Sequence, residues 1–268
     1  MVRVTAALSL AFGLGLGFGA CKKEEPAPMP PPAAPPAAPP AAAPAPAAAP
    51  AMPAAAAAAG VGSVKGKVML TGKVPEAKNQ DRKADPVCAK TAMKEEEIVA
   101  EKDGSLANVL VRITKGVTGT FEPPAAEAVV SQDACMYRPR VQGVMAGQNI
   151  LIKNSDKTLH NVHTYKGATT LFNQAQVPGL PPIAKKFSDA GDVIKFKCDV
   201  HPWMTGYVAV SNHPFFAVTG KDGSFSLDKV PAGSYTVEAW HEKLGTKTAE
   251  VTVAADKPSE AKFEFAAN

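Results

Sequence analysis

The chain has 268 residues, and its 29 Lys and Arg against 25 Asp and Glu leave a formal charge of +4. So small an excess gives no electrostatic footprint for nucleic acid, which is therefore not expected as a partner. Of the 25 prolines, 13 lie between Pro26 and Pro53, in a run to residue 59 made only of Pro, Ala and two Met, and such a run cannot join a packed core. Residues 61–268 remain for folding, enough for one large or two small domains.

At the start of the chain, Arg3 supplies a positive charge, and residues 4–19 form an apolar, glycine-broken run too short and too poorly flanked for a membrane span. An export signal over residues 1–20 is expected. Phe18-Gly19-Ala20-Cys21 followed by Lys22-Lys23-Glu24-Glu25 resembles a bacterial lipoprotein processing site, with Phe18 standing where such sites usually carry Leu. The resemblance implies a lipidated Cys21 and an exported protein held by its N-terminal lipid to a membrane face of the bacterial cell envelope, periplasmic or surface. The competing reading is an ordinary secretory signal with Cys21 incidental. Residues 21–60 then form a disordered Ala/Pro-rich tether. At the polyproline II rise of about 3.1 Å per residue, the 34-residue Ala/Pro run reaches at most ~105 Å.

From Val61 onward the apolar residues alternate with period two, and no segment carries a long amphipathic helical pattern. The expected faces are Val64 and Val68; Val109, Val111 and Ile113, with Arg112 turned away; Ile150 and Ile152; and Ile194, Phe196 and Cys198. Late in the chain come Phe225 and Leu227, then Tyr235, Val237 and Ala239, then Val251 and Val253, and finally Phe263 and Phe265. Asp103-Gly104, Asp222-Gly223 and Pro231-Ala232-Gly233 separate them as turns. Short strands at this spacing predict an all-β chain of sandwiches or barrels. The polar run Asp81 to Glu97 reads as a short helix or a long loop.

Chemistry concentrates in two places. One is Leu159-His160-Asn161-Val162-His163, and the other is Cys198-Asp199-Val200-His201-Pro202-Trp203-Met204. Strand parity turns Cys198 inward, and Gly206 opens the next strand, so one short loop presents Cys198, His201 and Met204. A thiolate, imidazoles and a thioether suit copper, with two His and one Cys around the ion and a weak axial Met as the electron-transfer arrangement. The second imidazole must come from across the sandwich. His160, placed at the end of the Ile150–Ile152 strand, is the expected donor. Zinc would accept the Cys and two His but gains little from Met204.

Residues 126–211 are similar to the cupredoxins, the small blue-copper proteins, and most closely to their amicyanin branch. The resemblance rests on His160-Asn161-Val162-His163, on Asp189-Ala190-Gly191, and on Cys198-x-x-His201-Pro202-Trp203-Met204 followed by Gly206. It implies one type 1 copper ion held by His160, Cys198, His201 and Met204, with the Asn161 backbone steadying the sulfur. It also implies that His201 is the electron port, its imidazole edge exposed in a patch shaped by Pro202 and Trp203. Asp199-Val200 replaces the family's small-residue-proline pair and Trp203 a smaller aromatic, which leaves the reduction potential open.

With Cys21 assigned to lipid and Cys198 to metal, Cys88 and Cys135 remain. In an exported protein a disulfide between them is expected; the rival is a second metal or redox site near Cys135, Met136, Arg138 and Arg140. His163, of opposite parity to His160, is expected to face solvent or another domain, and His241 to be a surface residue. Thr219-Gly220-Lys221-Asp222-Gly223-Ser224-Phe225 and Val230-Pro231-Ala232-Gly233-Ser234-Tyr235 resemble a carboxypeptidase regulatory-like, transthyretin-like sandwich. Gly66-Lys67-Val68 and Val109 to Ile113 match its opening strands. The expected organisation is that sandwich from residues 61–121 and 212–268, with a cupredoxin domain, residues 122–211, inserted; three strand groups in series are the alternative.

The leading function is single-electron carriage between redox partner proteins of the envelope. Copper handling without redox turnover, and a structural surface lipoprotein, are the rivals. No nucleophile triad, phosphate loop or paired-carboxylate motif is present, and four protein ligands leave no open position for substrate, so no enzymatic activity is expected.

Overall fold

The computed structural model describes residues 60–267; the export signal, Cys21 and the rest of the tether lie outside the described residues. The fold is all-β. In chain order the strands are β1 Val61–Thr71, β2 Leu110–Lys115, β3 Ala128–Asp133, β4 Met136–Arg138, β5 Val141–Met145, β6 Ile150–Asn154, β7 His160–Lys166 and β8 Thr169–Gln176. They continue with β9 Ile183–Lys185, β10 Val193–Lys197, β11 Thr205–Ser211, β12 Phe216–Val218, β13 Ser224–Pro231, β14 Gly233–His241, β15 Gly245–Val253 and β16 Pro258–Ala266. A single 3-10 turn, Cys88–Lys90, interrupts the polar run between β1 and β2.

Two sandwiches result. The first packs the sheet β13-β1-β16 on the sheet β12-β2-β14-β15, so it draws strands from both ends of the described chain. The second packs β5-β11-β10-β7-β8 on β4-β3-β6-β9 and is made of the intervening strands alone. Each has its own core. Val64, Val68, Leu70, Val111, Ile113, Leu227, Tyr235, Val237, Phe263 and Phe265 meet in the first. Val130, Tyr137, Ile150, Ile152, Ile194, Phe196, Cys198, Met204 and Val208 meet in the second. These are the inward positions of the period-two pattern, which is how burial of one strand face selects the register.

β2 departs from the single apolar face expected of it. Leu110, on the opposite face from Val109 and Val111, is also fully buried, because β2 lies against the second sandwich and packs Leu110 on Val141 and Ala209. The sandwiches touch closely. A methyl group on Gly143 of β5 would come within 2.2 Å of the Phe216 ring, so only glycine fits there. Beside that contact Arg140 and Glu242, both nearly inaccessible, form a forked ion pair, with Arg140 Nη2 donating to Glu242 Oε2 at 2.9 Å. Arg112 of β2 bonds Glu238 and donates through Nη1 to the Gly191 carbonyl of the second unit at 3.1 Å.

The run Asp81 to Glu97 precedes β2 but serves the second sandwich. Cys88 is joined to Cys135 by a disulfide, Thr158 donates to Asp85, and Arg138 pairs with Glu96. His241 is not a surface residue. Its ring is 1% exposed at the end of β14 near Phe265, and its Nδ1 accepts from the Lys243 and Leu244 amides at 3.2 and 3.3 Å. Trp240 packs on Tyr207 from the second unit, so the end of β14 is covered rather than free.

Candidate metal centre

The ligand-bearing loop is the connection of the β10–β11 hairpin. Cys198 follows β10 directly and Met204 directly precedes β11, and the Cys198 amide donates to the Met204 carbonyl at 3.3 Å across the loop's neck. A turn from the Met204 amide to the His201 carbonyl, 2.9 Å, folds the imidazole inward. His160 opens β7, the hydrogen-bonded neighbour of β10, instead of ending the Ile150–Ile152 strand; β6 stops at Asn154 and the chain turns before the ligand. Asn154 shapes that turn by accepting from the Asp156 amide and donating to the Thr158 carbonyl.

These elements bring three donors together. His160, Cys198 and His201 each offer one atom, all within 4.8 Å of one another, and each residue is buried. The two imidazole Nδ1 atoms lie 2.9 Å apart, and Cys198 Sγ is 3.9 Å from His201 Nδ1. Met204 is wholly buried in the same core. The Asn161 amide donates to Cys198 Sγ at 3.5 Å, while its side chain accepts from the Asp199 amide at 2.6 Å and donates to Asp199 and Asn173 at 2.8 Å. Asn161 thus ties β7 to the first residue after the cysteine. Tyr137, from the facing sheet, turns its hydroxyl to the carbonyls of Asn161 and Lys197 at 2.7 and 3.0 Å, closing the floor of the site.

Both outer imidazole nitrogens are committed to carboxylates. His160 Nε2 lies 2.9 Å from Asp156 Oδ2, and His201 Nε2 lies 3.0 Å from Asp85 Oδ2. Asp156 also accepts from the Cys135 amide at 2.8 Å. Asp85 accepts from the Thr158 hydroxyl at 2.6 Å and from the Val87 and Cys88 amides at 2.7 and 3.1 Å. Neither carboxylate was visible as a site residue in the sequence. The only signals were the position of Asp156 four residues before His160 and that of Asp85 three before a cysteine with a distant partner.

The electrostatics follow from this wiring. Burial opposes charge on Cys198, yet His160 and the amides of Asn161, His201 and Val200 hold its thiol below the ordinary value. Burial likewise opposes charge on His160, but Asp156 and the Cys198 sulfur raise it above the ordinary imidazole value. His201 moves the other way, lowered by burial and by the neighbouring His160 charge against the pull of Asp85. Asp85, despite some desolvation, is held down to about 2 by Thr158, the Cys88 and Val87 amides and His201. The protonation that satisfies every partner places a proton on each Nε2, donated to its carboxylate, and the shared Nδ1 proton on His160, donated to His201 Nδ1. With the Nε2 atoms engaged, the inward Nδ1 atoms and the sulfur are the donors left for a metal ion, and they fit a copper ion in soft ligation.

The expected electron port differs from what is found. His201 is 1% exposed, because Asp85 and the Cys88 half of the disulfide lie over its outer edge, with Cys88 Sγ 3.8 Å from Nε2. Of the port residues Pro202 is exposed, and Trp203 is half-buried, its ring tilted at 41° and 5.0 Å from the His201 ring, and donates its indole N–H to the Cys135 carbonyl at 3.2 Å. His163 points to the other side of the sheet, where its Nδ1 lies 3.0 Å from Asp199 Oδ2, and has no part in the cluster.

Comparison with known proteins gives one family model, the beta-sandwich domain of ER membrane protein complex subunit 7, matching residues 200–267, from the ligand loop through β16. No curated protein matches the chain. Among solved structures, a purple cupredoxin from Nitrosopumilus maritimus is 26% identical, covering 31% of this chain and 99% of its own at a TM-score of 0.28. Amicyanin from Paracoccus versutus is 24% identical over 38% of this chain and 97% of its own, TM-score 0.30. A copper-containing nitrite reductase from Thermus scotoductus is 17% identical over 37% of this chain and 25% of its own, TM-score 0.29.

Proposed function

We propose that the protein is an exported, membrane-tethered type 1 copper protein that carries single electrons between redox partners of the cell envelope and catalyses no reaction of its own. The observation that supports this most directly is the inward pair of imidazole Nδ1 atoms, 2.9 Å apart beside the buried Cys198 sulfur, with Met204 in the same core. His160 and His201 would hold the ion as neutral imidazoles, Cys198 as a thiolate, and Met204 as a thioether. Bound copper supplies a one-electron couple. The chain's part is to keep the donors in place in both oxidation states. Asn161 and Tyr137 fix the loop to β7, and the packed sandwich excludes water. Three of the four donors sit on, or one residue from, a paired strand, and the turn from the Met204 amide to the His201 carbonyl holds the fourth, an arrangement that would keep rearrangement on electron gain or loss small.

A second reading, copper storage or delivery without redox turnover, draws support from the covered edge of His201, since that edge is not open to a partner. The test is copper loading followed by optical and paramagnetic resonance spectra of the parent protein and Cys198→Ser. Intense visible colour in the oxidised parent and its loss in the variant are expected; colour retained without the thiol rejects the assignment. Reversible one-electron oxidation at an electrode separates carriage from storage.

A further inference from the structure

We propose that Asp85 and Asp156 are a matched pair of positioning anions that bias the centre toward its more highly charged, oxidised copper form, and that the covering segment exists to deliver the first of them. The inference rests on the copper reading above and concerns residues that touch the imidazoles, not the ion. Each carboxylate receives the Nε2 proton of one ligand histidine, at 2.9 and 3.0 Å. The two are built alike though they come from unrelated parts of the chain. Each also accepts a backbone amide of a disulfide cysteine, Asp156 that of Cys135 and Asp85 that of Cys88, so the disulfide holds the two carboxylates as one frame.

Neither anion is neutralised directly. Among the described residues the only ion-pair partner of each is its histidine; the buried Arg82 nearby donates to the carbonyls of Thr91 and Ala134, leaves its Nε unpaired, and acts on the two carboxylates only through space. A carboxylate accepting from an imidazole makes the other ring nitrogen a stronger donor to a metal and adds negative charge beside it. Both effects favour Cu(II) over Cu(I), because the oxidised centre carries one more positive charge. The cover adds to this by excluding water, which leaves the charges poorly screened. Asp85 is thus no surface ornament of the polar run. It enters the site from outside the second sandwich, and Thr158, beside His160, receives it.

Asp85→Asn and Asp156→Asn in the copper-loaded full chain test the idea, read by voltammetry and by competition of Cu(II) and of Cu(I) against chelators. Each variant is expected to weaken Cu(II) at least roughly tenfold, as loss of an outer partner does, while leaving Cu(I) nearly untouched. A tenfold change in that preference raises the potential by about 59 mV. The visible band persists, and Asp85→Glu restores the parent behaviour. In the metal-free protein the imidazole nitrogen-15 shifts of His201 change in Asp85→Asn and those of His160 in Asp156→Asn. Colour retained with an unchanged Cu(II)/Cu(I) preference overturns the proposal and leaves the copper reading intact; a parent protein that binds no copper overturns that reading itself. Should an asparagine variant fail to fold, Thr158→Val gives the answer with the opposite sign. Relieved of that hydroxyl, Asp85 becomes a stronger acceptor and the potential falls; an unmoved potential rejects the proposal.

Discussion

The two sandwiches bury histidines equally well and to opposite ends. In the first unit and its border, His213 Nε2 donates to the Ile113 carbonyl at 3.0 Å and its Nδ1 accepts the Phe215 amide at 3.2 Å, while His241 accepts two amides of its own turn. Both are lowered from the ordinary value, chiefly by burial, and stay neutral packing residues. In the second unit His160 and His201 face each other and lean on carboxylates. Burial alone therefore says nothing about function. What separates a packing histidine from a donor is the company its ring keeps: backbone groups and a serine hydroxyl around His213 and His241, carboxylates and a second donor around His160 and His201.

The contrast is most strongly tested at the disulfide, which has no counterpart in the first sandwich. Its residues are 47 apart in sequence; replacing both with alanine is expected to cost about 4 kcal/mol by loop-entropy reasoning. Urea unfolding gives the loss. Because the cover is released, the His201 imidazole resonances are expected to become solvent-sensitive while those of His213 do not. A cost near zero with His201 still protected would show that the cover holds without the crosslink.

The next effect belongs to His241. Its folded value is lowered to about 4 from the ordinary 6.5, so the unfolded chain takes up the proton first as pH falls. The stabilisation is complete above pH 6.5, shrinks between 6.5 and 4, and is gone below; the shift corresponds to roughly 3 kcal/mol. Denaturant titrations at pH 7 and pH 4.5 are expected to differ by most of that amount in the parent and much less in His241→Gln. An equal pH dependence in both proteins would assign the acid sensitivity elsewhere.

Smallest is Tyr137→Phe, which strips the hydroxyl from the carbonyls of Asn161 and Lys197. A cost of about 1–3 kcal/mol is expected from the two unmet acceptors. Since both flank the Cys198 loop, the visible band of the copper form is expected to shift, whereas a spectrum identical to the parent's would show that the loop is held by Asn161 alone.

Much of this was readable in the chain. Val64, Val68, Tyr235, Val237, Phe263 and Phe265 lie where period two places them, because a half-buried strand admits no other register. Cys198, His201 and Met204 share one short loop for the same local reason. The rest depended on long-range packing. Leu110 is buried by a second unit pressing on the first, which a single strand's pattern does not encode, whereas His241 continues the inward face of Tyr235, Val237 and Ala239 and was missed although the alternation places it there. Asp85 reaches His201 from 116 residues away, and the cover over the expected port comes from a stretch whose composition reads only as polar. His160 opens β7 instead of ending the Ile150–Ile152 strand, since a turn at Asn154 intervenes.

One pairing has a wider meaning. Arg112 faces Phe216 and Leu110 faces Val218 where β2 meets β12, so everything between them is, in topological terms, the tip of one hairpin. Closing a tip of roughly a hundred residues costs only about 3 kcal/mol more than closing a tight one, and an insert whose own ends meet removes most of that penalty. The second sandwich is in effect an insert in a host whose strands pair only among themselves, and the host's own β1–β2 connection reaches back to clasp it through Asp85 and Cys88.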